Sequence, residues 1–194
     1  MRRALSVVLG LAVIGAGAFW IATSPALTAS GADEAPGGAP DLANGEAMFY
    51  AGGCTSCHAT PGQDDKLRLG GGHALETTFG TFHVPNISPH PRDGIGSWSE
   101  ADFIRAMRQG VSPDGEHYYP AFPYTSYQRM TAADLRDMFA FIRTLAPVEG
   151  RTPEHDLAFP YNMRRGIGLW KLAFLDGETF RPDASKSEAW NRGA

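Results

Sequence analysis

Cys54-Thr55-Ser56-Cys57-His58 contains both cysteines of this 194-residue chain and sets a histidine directly after the second. Two thiols three positions apart can each add to one vinyl group on a haem edge. The histidine that follows then lies under the iron and supplies an axial nitrogen. The C-x-x-C-H spacing is therefore read as a c-type haem attachment. Other uses of the pair fit less well. A thioredoxin-like redox pair wants a βαβ context that the chain lacks. A zinc site wants a second cysteine pair, which is absent. A plain disulfide would leave His58 unexplained.

An electron-transfer iron takes a second axial ligand, commonly methionine, which raises the reduction potential. The methionines are 1, 48, 107, 130, 138 and 163. Met1 opens the chain and Met48 is too close to the cysteines to reach the other haem face. Met107 and Met138 fall on apolar faces of expected helices and read as core. Met130 closes the Pro- and Tyr-rich loop 118–127, which could hold a thioether rigidly, and it precedes a helix cap at Thr131. It is the expected sixth ligand. The alternative is a hydrophobic staple, in which the residue before the cap packs on the first turn. Among the histidines, His117 beside the Tyr-rich loop is the next candidate; His73, His83, His90 and His155 read as surface or loop residues. The Pro85 carbonyl is a candidate acceptor for the second ring nitrogen of His58. Asn86, Trp98 and Tyr127 could anchor haem propionates or serve only in packing.

These residues need elements to carry them. Asp41 can cap a helix over 42–51, with Leu42, Met48, Phe49 and Tyr50 as its apolar surface and Gly52-Gly53 as its stop. Ser99 and Asp102 form a capping signal for a helix over 99–109, ended by Gly110. Thr131 and Asp134 do the same for 131–145, where Leu135, Met138, Phe139, Ile142 and Leu145 recur at helical spacing. The glycine-rich segment 67–84 suggests a short hairpin, with Gly70-Gly71-Gly72 and Phe79-Gly80 as turn signals.

The N-terminus has a different character. Arg2 and Arg3 precede an apolar run from Ala4 to Ala22, and small residues follow. This is the make-up of an export signal, and the run is long enough to span a bilayer. No clean Ala-x-Ala cleavage site is present, and Trp20 could sit at the membrane interface, so an uncleaved anchor is favoured over a cleaved signal. The arginines should stay in the cytoplasm, placing the remainder on the periplasmic side. The expected organisation is a signal or anchor over 1–29, a linker over 30–40, the haem domain over 41–148 and a C-terminal arm over 149–194. The net charge of −4 argues against nucleic acid as a partner. Glycine (23) and proline (14) are abundant, but stay below the roughly 25–30% share that marks a low-complexity chain.

Further segments carry a family likeness. They are Asn44-Gly45-Glu46, Gly52-Gly53 with the C-x-x-C-H that follows, Phe79-Gly80-Thr81-Phe82, Val84-Pro85-Asn86-Ile87-Ser88-Pro89, Gly94-Ile95-Gly96-Ser97-Trp98-Ser99, Asp102-Phe103 and the run from Gly115 to Tyr127. From Asn44 to Val148 the chain resembles the cytochrome c subunits that accompany membrane-bound dehydrogenases, including the multihaem subunits of alcohol and gluconate dehydrogenases and their dihaem relatives. The resemblance implies a mostly α, class I cytochrome c-like domain with long loops. It also implies covalent haem c, His58 as proximal ligand and a distal methionine. Some members carry that methionine where this chain has Phe122; Met130 takes the position used by the other branch. In the dihaem relatives the element matching 155–174, a short helix with Trp170 packed, leads to a second haem domain that opens with a segment like Glu188–Ala194. The resemblance thus implies a one-haem piece of a dihaem architecture, the alternative being a monohaem protein with a wrapping arm.

The functional reading that follows is a one-electron carrier with one covalent haem c, bound by Cys54, Cys57, His58 and Met130. It would relay electrons from a periplasmic dehydrogenase to the respiratory chain, and is not itself an enzyme. A haem enzyme or gas sensor with an open distal site is the alternative, although no acid–base constellation accompanies such a site. A membrane-tethered adaptor without redox turnover is a third reading that the haem motif disfavours.

Overall fold

The computed structural model describes residues 2–28 and 37–193; residues 29–36, with most of the expected linker and the boundary at 29, lie outside the described residues, as do Met1 and Ala194. Helix α1 (Arg2–Ala22) is long and apolar enough to cross a membrane by length and composition. A short turn, α2 (Pro25–Thr28), follows it.

The body is built on three helices whose caps were visible in the sequence. In α3 (Leu42–Ala51), the Asp41 carboxylate accepts from the Ala43 and Asn44 amides. Helix α4 (Cys54–His58) comes next, entered through Gly53 at φ 67. Helix α5 (Glu100–Gln109) opens with a full capping box between Ser99 and Asp102 and ends at Gly110 at φ 61. A single turn, α6 (Tyr124–Tyr127), leads to α7 (Ala132–Ile142), capped by Thr131. Helix α7 stops short of the expected Leu145, with the 143–145 stretch continuing as a turn.

Helices α3 and α7 cross at Gly45. A Cβ there would lie 2.0 Å from the Asp137 carbonyl oxygen, so the crossing requires glycine. One turn further along α3, Phe49 is completely buried and packs on Phe141 at 5.3 Å. Leu42 and Tyr50, expected on the same apolar surface, are instead exposed. Asn44 extends the crossing by donating to Asp134 and Asp137 at 3.0 Å each. The main core joins Phe49, Leu69, Phe103, Met107, Leu135 and Met138, with Phe103 stacked on Phe139 at 4.8 Å. Met107 and Met138 are core residues, as their helical spacing indicated.

The small sheet pairs β1 (Ala74–Thr77) with β2 (Gly80–His83), and β2 with β3 (Asp156–Leu157), all antiparallel. The hairpin was expected; the third strand, drawn from the C-terminal arm, was not. Its apolar side is a second cluster of Phe82, Tyr119 and Leu157. Beyond β3 come a 3-10 turn (Arg164–Gly166), α8 (Ile167–Phe174) and α9 (Glu188–Gly193). Trp170 of α8 is half-buried, edge-on to Tyr124 at 6.2 Å.

Candidate functional site

Helix α4 is the short turn that the C-x-x-C-H sequence forms once Gly53 has reversed the chain. Cys54 is buried and Cys57 exposed, and both thiols are free. Burial pushes the Cys54 thiol up to about 11. The residues suit a covalently attached haem. Two free sulfurs sit three positions apart, and the histidine after them has one ring nitrogen already engaged. His58 Nδ1 lies 2.8 Å from the Pro85 carbonyl oxygen, the acceptor expected from the sequence. That contact makes Nδ1 the donor and leaves Nε2 as the nitrogen able to bind iron. Burial also holds the imidazole below its ordinary pKa, in the neutral form that a metal ligand needs. Among the described residues no group of three or more His, Cys, Asp or Glu could hold a metal ion, so half a zinc site would find no partners.

What holds Pro85 in place is the glycine run. Gly71 donates from its amide to the His58 carbonyl at 2.9 Å, Gly72 to Val84 at 2.9 Å, and Ile87 to Leu69 at 3.0 Å. A Cβ on Gly71 would lie 2.4 Å from the Pro85 carbonyl oxygen, and its φ is +67. Gly70 is equally confined, between Thr60 and Val148. The run is therefore not the turn that its composition suggested. It is a close approach of two backbones, needed to set the acceptor of His58. Turn glycines and contact glycines look alike in sequence, which is why the role of Gly71 was missed.

Met130 is half-buried against the main core, the cluster that includes Cys54. Its amide donates to the Tyr127 carbonyl at 3.0 Å. The Tyr127 hydroxyl in turn donates to the Gly52 carbonyl at 2.8 Å, tying the loop that ends at Met130 to the entry of α4. Burial, then the nearby Cys54 and Cys57 sulfurs, push that phenol up to about 12. The loop is also held from outside. Arg129 reaches Asp176 at 2.6 Å, Phe180 donates to the Arg129 carbonyl at 2.9 Å, and Gly177 donates to the Gln128 side chain at 2.9 Å. The arm thus straps the segment beside Met130, a connection across almost 50 residues with no local sequence signal. Phe122 is half-buried among Tyr118, Tyr124 and Tyr127.

Several candidates are committed elsewhere. Asn86 donates to the Val148 and Gly150 carbonyls at 2.7 and 3.0 Å and accepts from the Ser88 amide, so its side chain staples two loops. Tyr127 is likewise spent on Gly52. Trp98 is half-buried against the core. His117 is buried, with Nε2 2.9 Å from the Thr23 carbonyl at the end of α1. His90 is also buried rather than on the surface, accepting from the Asp93 amide at 3.1 Å.

Comparison with known proteins follows the same lines. Residues 42–146 match the family model described as cytochrome c. A "Diheme cytochrome c-type" protein of Cereibacter sphaeroides is 47% identical over 179 residues, 89% of this chain and 58% of the relative. The fructose dehydrogenase cytochrome subunit of Gluconobacter japonicus is 35% identical over 156 residues, 79% of this chain and 32% of the relative. The gluconate 2-dehydrogenase cytochrome c subunit of Pantoea cypripedii is 34% identical over 151 residues, 77% of this chain and 34% of the relative. The chain thus spans from about a third to somewhat over half of the length of these relatives.

Proposed function

The chain belongs to the cytochrome c family, and from that premise we propose that it is a one-electron carrier holding one haem c on Cys54 and Cys57, with His58 and Met130 as axial ligands. A cytochrome c domain implies covalently bound haem c, and such a haem supplies a one-electron iron couple. The observation that carries the residue assignment is the His58–Pro85 contact at 2.8 Å beside two free thiols. Pro85 fixes the ring's tautomer and orientation, and it raises the basicity of the other nitrogen. Met130 provides a soft sulfur ligand from a loop that is tied to α4 on one side and strapped by the arm on the other. With His58 and Met130 both holding the iron, no site would remain there for a substrate.

Two of the relatives named above are cytochrome subunits of dehydrogenases, which supports a dehydrogenase as electron donor; the acceptor in this reading is the respiratory chain. Helix α1, which opens with Arg2 and Arg3, supports anchoring in the inner membrane with the haem domain on the periplasmic side. We read 41–148 as the haem domain and 149–194 as an arm that wraps it and, in a longer dihaem architecture, would lead to a second module.

The test is to mature the protein with haem and denature it in acidified acetone. Haem c that stays with the polypeptide and is lost in Cys54→Ser/Cys57→Ser, together with a reversible one-electron wave in voltammetry, is the expected result. Haem that extracts freely, or a wave that becomes catalytic with peroxide or oxygen, would overturn the assignment.

A further inference from the structure

Helix α8 packs Ile167 and Trp170 inward but also buries a charge and leaves its leucines exposed. Its inward face carries Lys171, only 1% exposed, whose ammonium donates to the Gln109 and Gly110 carbonyls at 2.6 Å each and so closes the C-terminal end of α5. Its outward face carries Leu169, Leu172 and Ala173, with Phe174 at the end. Leu172 is 59% and Phe174 65% exposed. A helix bounded by water places its charges outward and its leucines inward. The buried lysine is explained by the carbonyls it satisfies; the exposed leucines need an apolar surrounding.

The position of α8 shows where that surrounding comes from. Gly168 packs against the backbone of Thr23, the residue after α1, so closely that a Cβ would lie 2.7 Å from the Thr23 Cα. Arg165 lies over the Trp20 ring at 3.7 Å and donates to the Trp20 carbonyl at 2.6 Å. His117 Nε2 lies 2.9 Å from the Thr23 carbonyl oxygen. Leu172 is one turn on from Gly168 and so lies on the same side of α8 as the end of α1. The exposed leucines therefore lie beside the exit of α1, a helix able to span a bilayer, on a segment whose Arg165 meets Trp20 and whose Gly168 meets Thr23.

We propose that the outward face of α8 rests in the lipid interface beside the exit of α1, so that the haem domain is held at a fixed attitude to the membrane. A helix end, an interfacial aromatic and an arginine stacked on it are the parts of such a junction. This rests on the reading of α1 as a retained anchor.

The test uses the full, haem-loaded chain in lipid nanodiscs with a nitroxide on a single added cysteine, since both native thiols are consumed by haem. Sites are Leu172→Cys, Val13→Cys within α1 and Leu75→Cys on the hairpin. Accessibility to oxygen and to a water-soluble nickel complex is read by electron paramagnetic resonance. The expected result is nickel accessibility at Leu172 several-fold below that at Leu75, with oxygen accessibility raised, and a deeper lipid signature at Val13. A water-like label at Leu172 with Val13 in lipid overturns the α8 interface while leaving the anchor intact. A Leu172 label shielded from both reagents means that protein, such as a second haem module or a second copy, covers the face, and also overturns it. A water-like Val13 overturns the anchor and the interface with it.

Discussion

Replacing Gly71 with alanine strikes at the contact that orients the axial imidazole. The new Cβ would lie 2.4 Å from the Pro85 carbonyl oxygen. Ordinary contact needs about 3.4 Å, so the two backbones must part by about 1 Å. That stretches the 2.8 Å His58–Pro85 bond beyond hydrogen-bonding distance. The cost has two parts. Alanine at φ +67 carries about 1 kcal/mol of left-handed strain, and the lost hydrogen bond about 1 kcal/mol more. Together they lower the melting temperature by roughly 4–8 °C. A donor bond from Nδ1 makes the imidazole a stronger electron donor and favours ferric iron, so losing it raises the potential. If most of the ~1 kcal/mol is specific to the ferric state, the rise is about 20–40 mV, at 59 mV per factor of ten for one electron. Gly62→Ala is the control. Its φ is +76 but nothing lies within 4 Å of an added Cβ. It should show the strain alone, with the potential unmoved. Voltammetry and thermal melting of the three proteins decide the matter. A Gly71→Ala potential that is unchanged, or that falls, refutes the proposed role of Pro85.

Gly45→Ala should destabilise the protein by about 2 kcal/mol, because about 3 kcal/mol of overpacking at the helix crossing outweighs the ~1 kcal/mol gained in helix propensity; denaturant unfolding that shows it as stable as wild type would contradict the crossing. Lys171→Met strands the Gln109 carbonyl, while Gly110 keeps the Tyr118 amide at 2.7 Å, and should cost about 1–3 kcal/mol in the same assay. Burial also pushes the Lys171 pKa from 10.5 down to about 7. Between those values the unfolded chain holds a proton that the folded chain lacks, so wild-type stability should rise with pH across that window, and the rise should vanish in Lys171→Met. At the acid end, His117 and His155 are both held below 6.5, by burial first and then by the neighbouring cations Lys171 and Arg164 respectively. As pH falls through 6.5 the unfolded chain takes up protons that these folded sites refuse, so stability should drop there, and His117→Gln should blunt the drop in melts across pH 5–7.

The parts of this fold that could be read in the sequence are those set by near neighbours. Asp41, Ser99 and Thr131 each cap a helix through amides two or three residues away, and those helix starts were legible. The C-x-x-C-H turn and the reach of His58 to Pro85 were legible because the chemistry restricts what such residues can do. What stayed hidden depends on backbone brought from far along the chain. Asn86 and Tyr127 could be read as propionate anchors or as packing residues, and carbonyls of Val148 and Gly52 claim them. His117 looked like a surface residue or spare ligand until the end of α1 arrived beside it. Lys171, a charged residue in an apolar segment, gave no local sign that it would turn inward to close another helix.

The central claim is that His58 and Met130 close both faces of the iron, which makes the protein an electron carrier. Ferric and ferrous absorption spectra of the haem-loaded protein, recorded beside Met130→Ala, test it most directly. A low-spin wild type with the weak far-red sulfur-to-iron band, absent from the variant, is the predicted result. A high-spin wild type, or a band that survives the substitution, would contradict it.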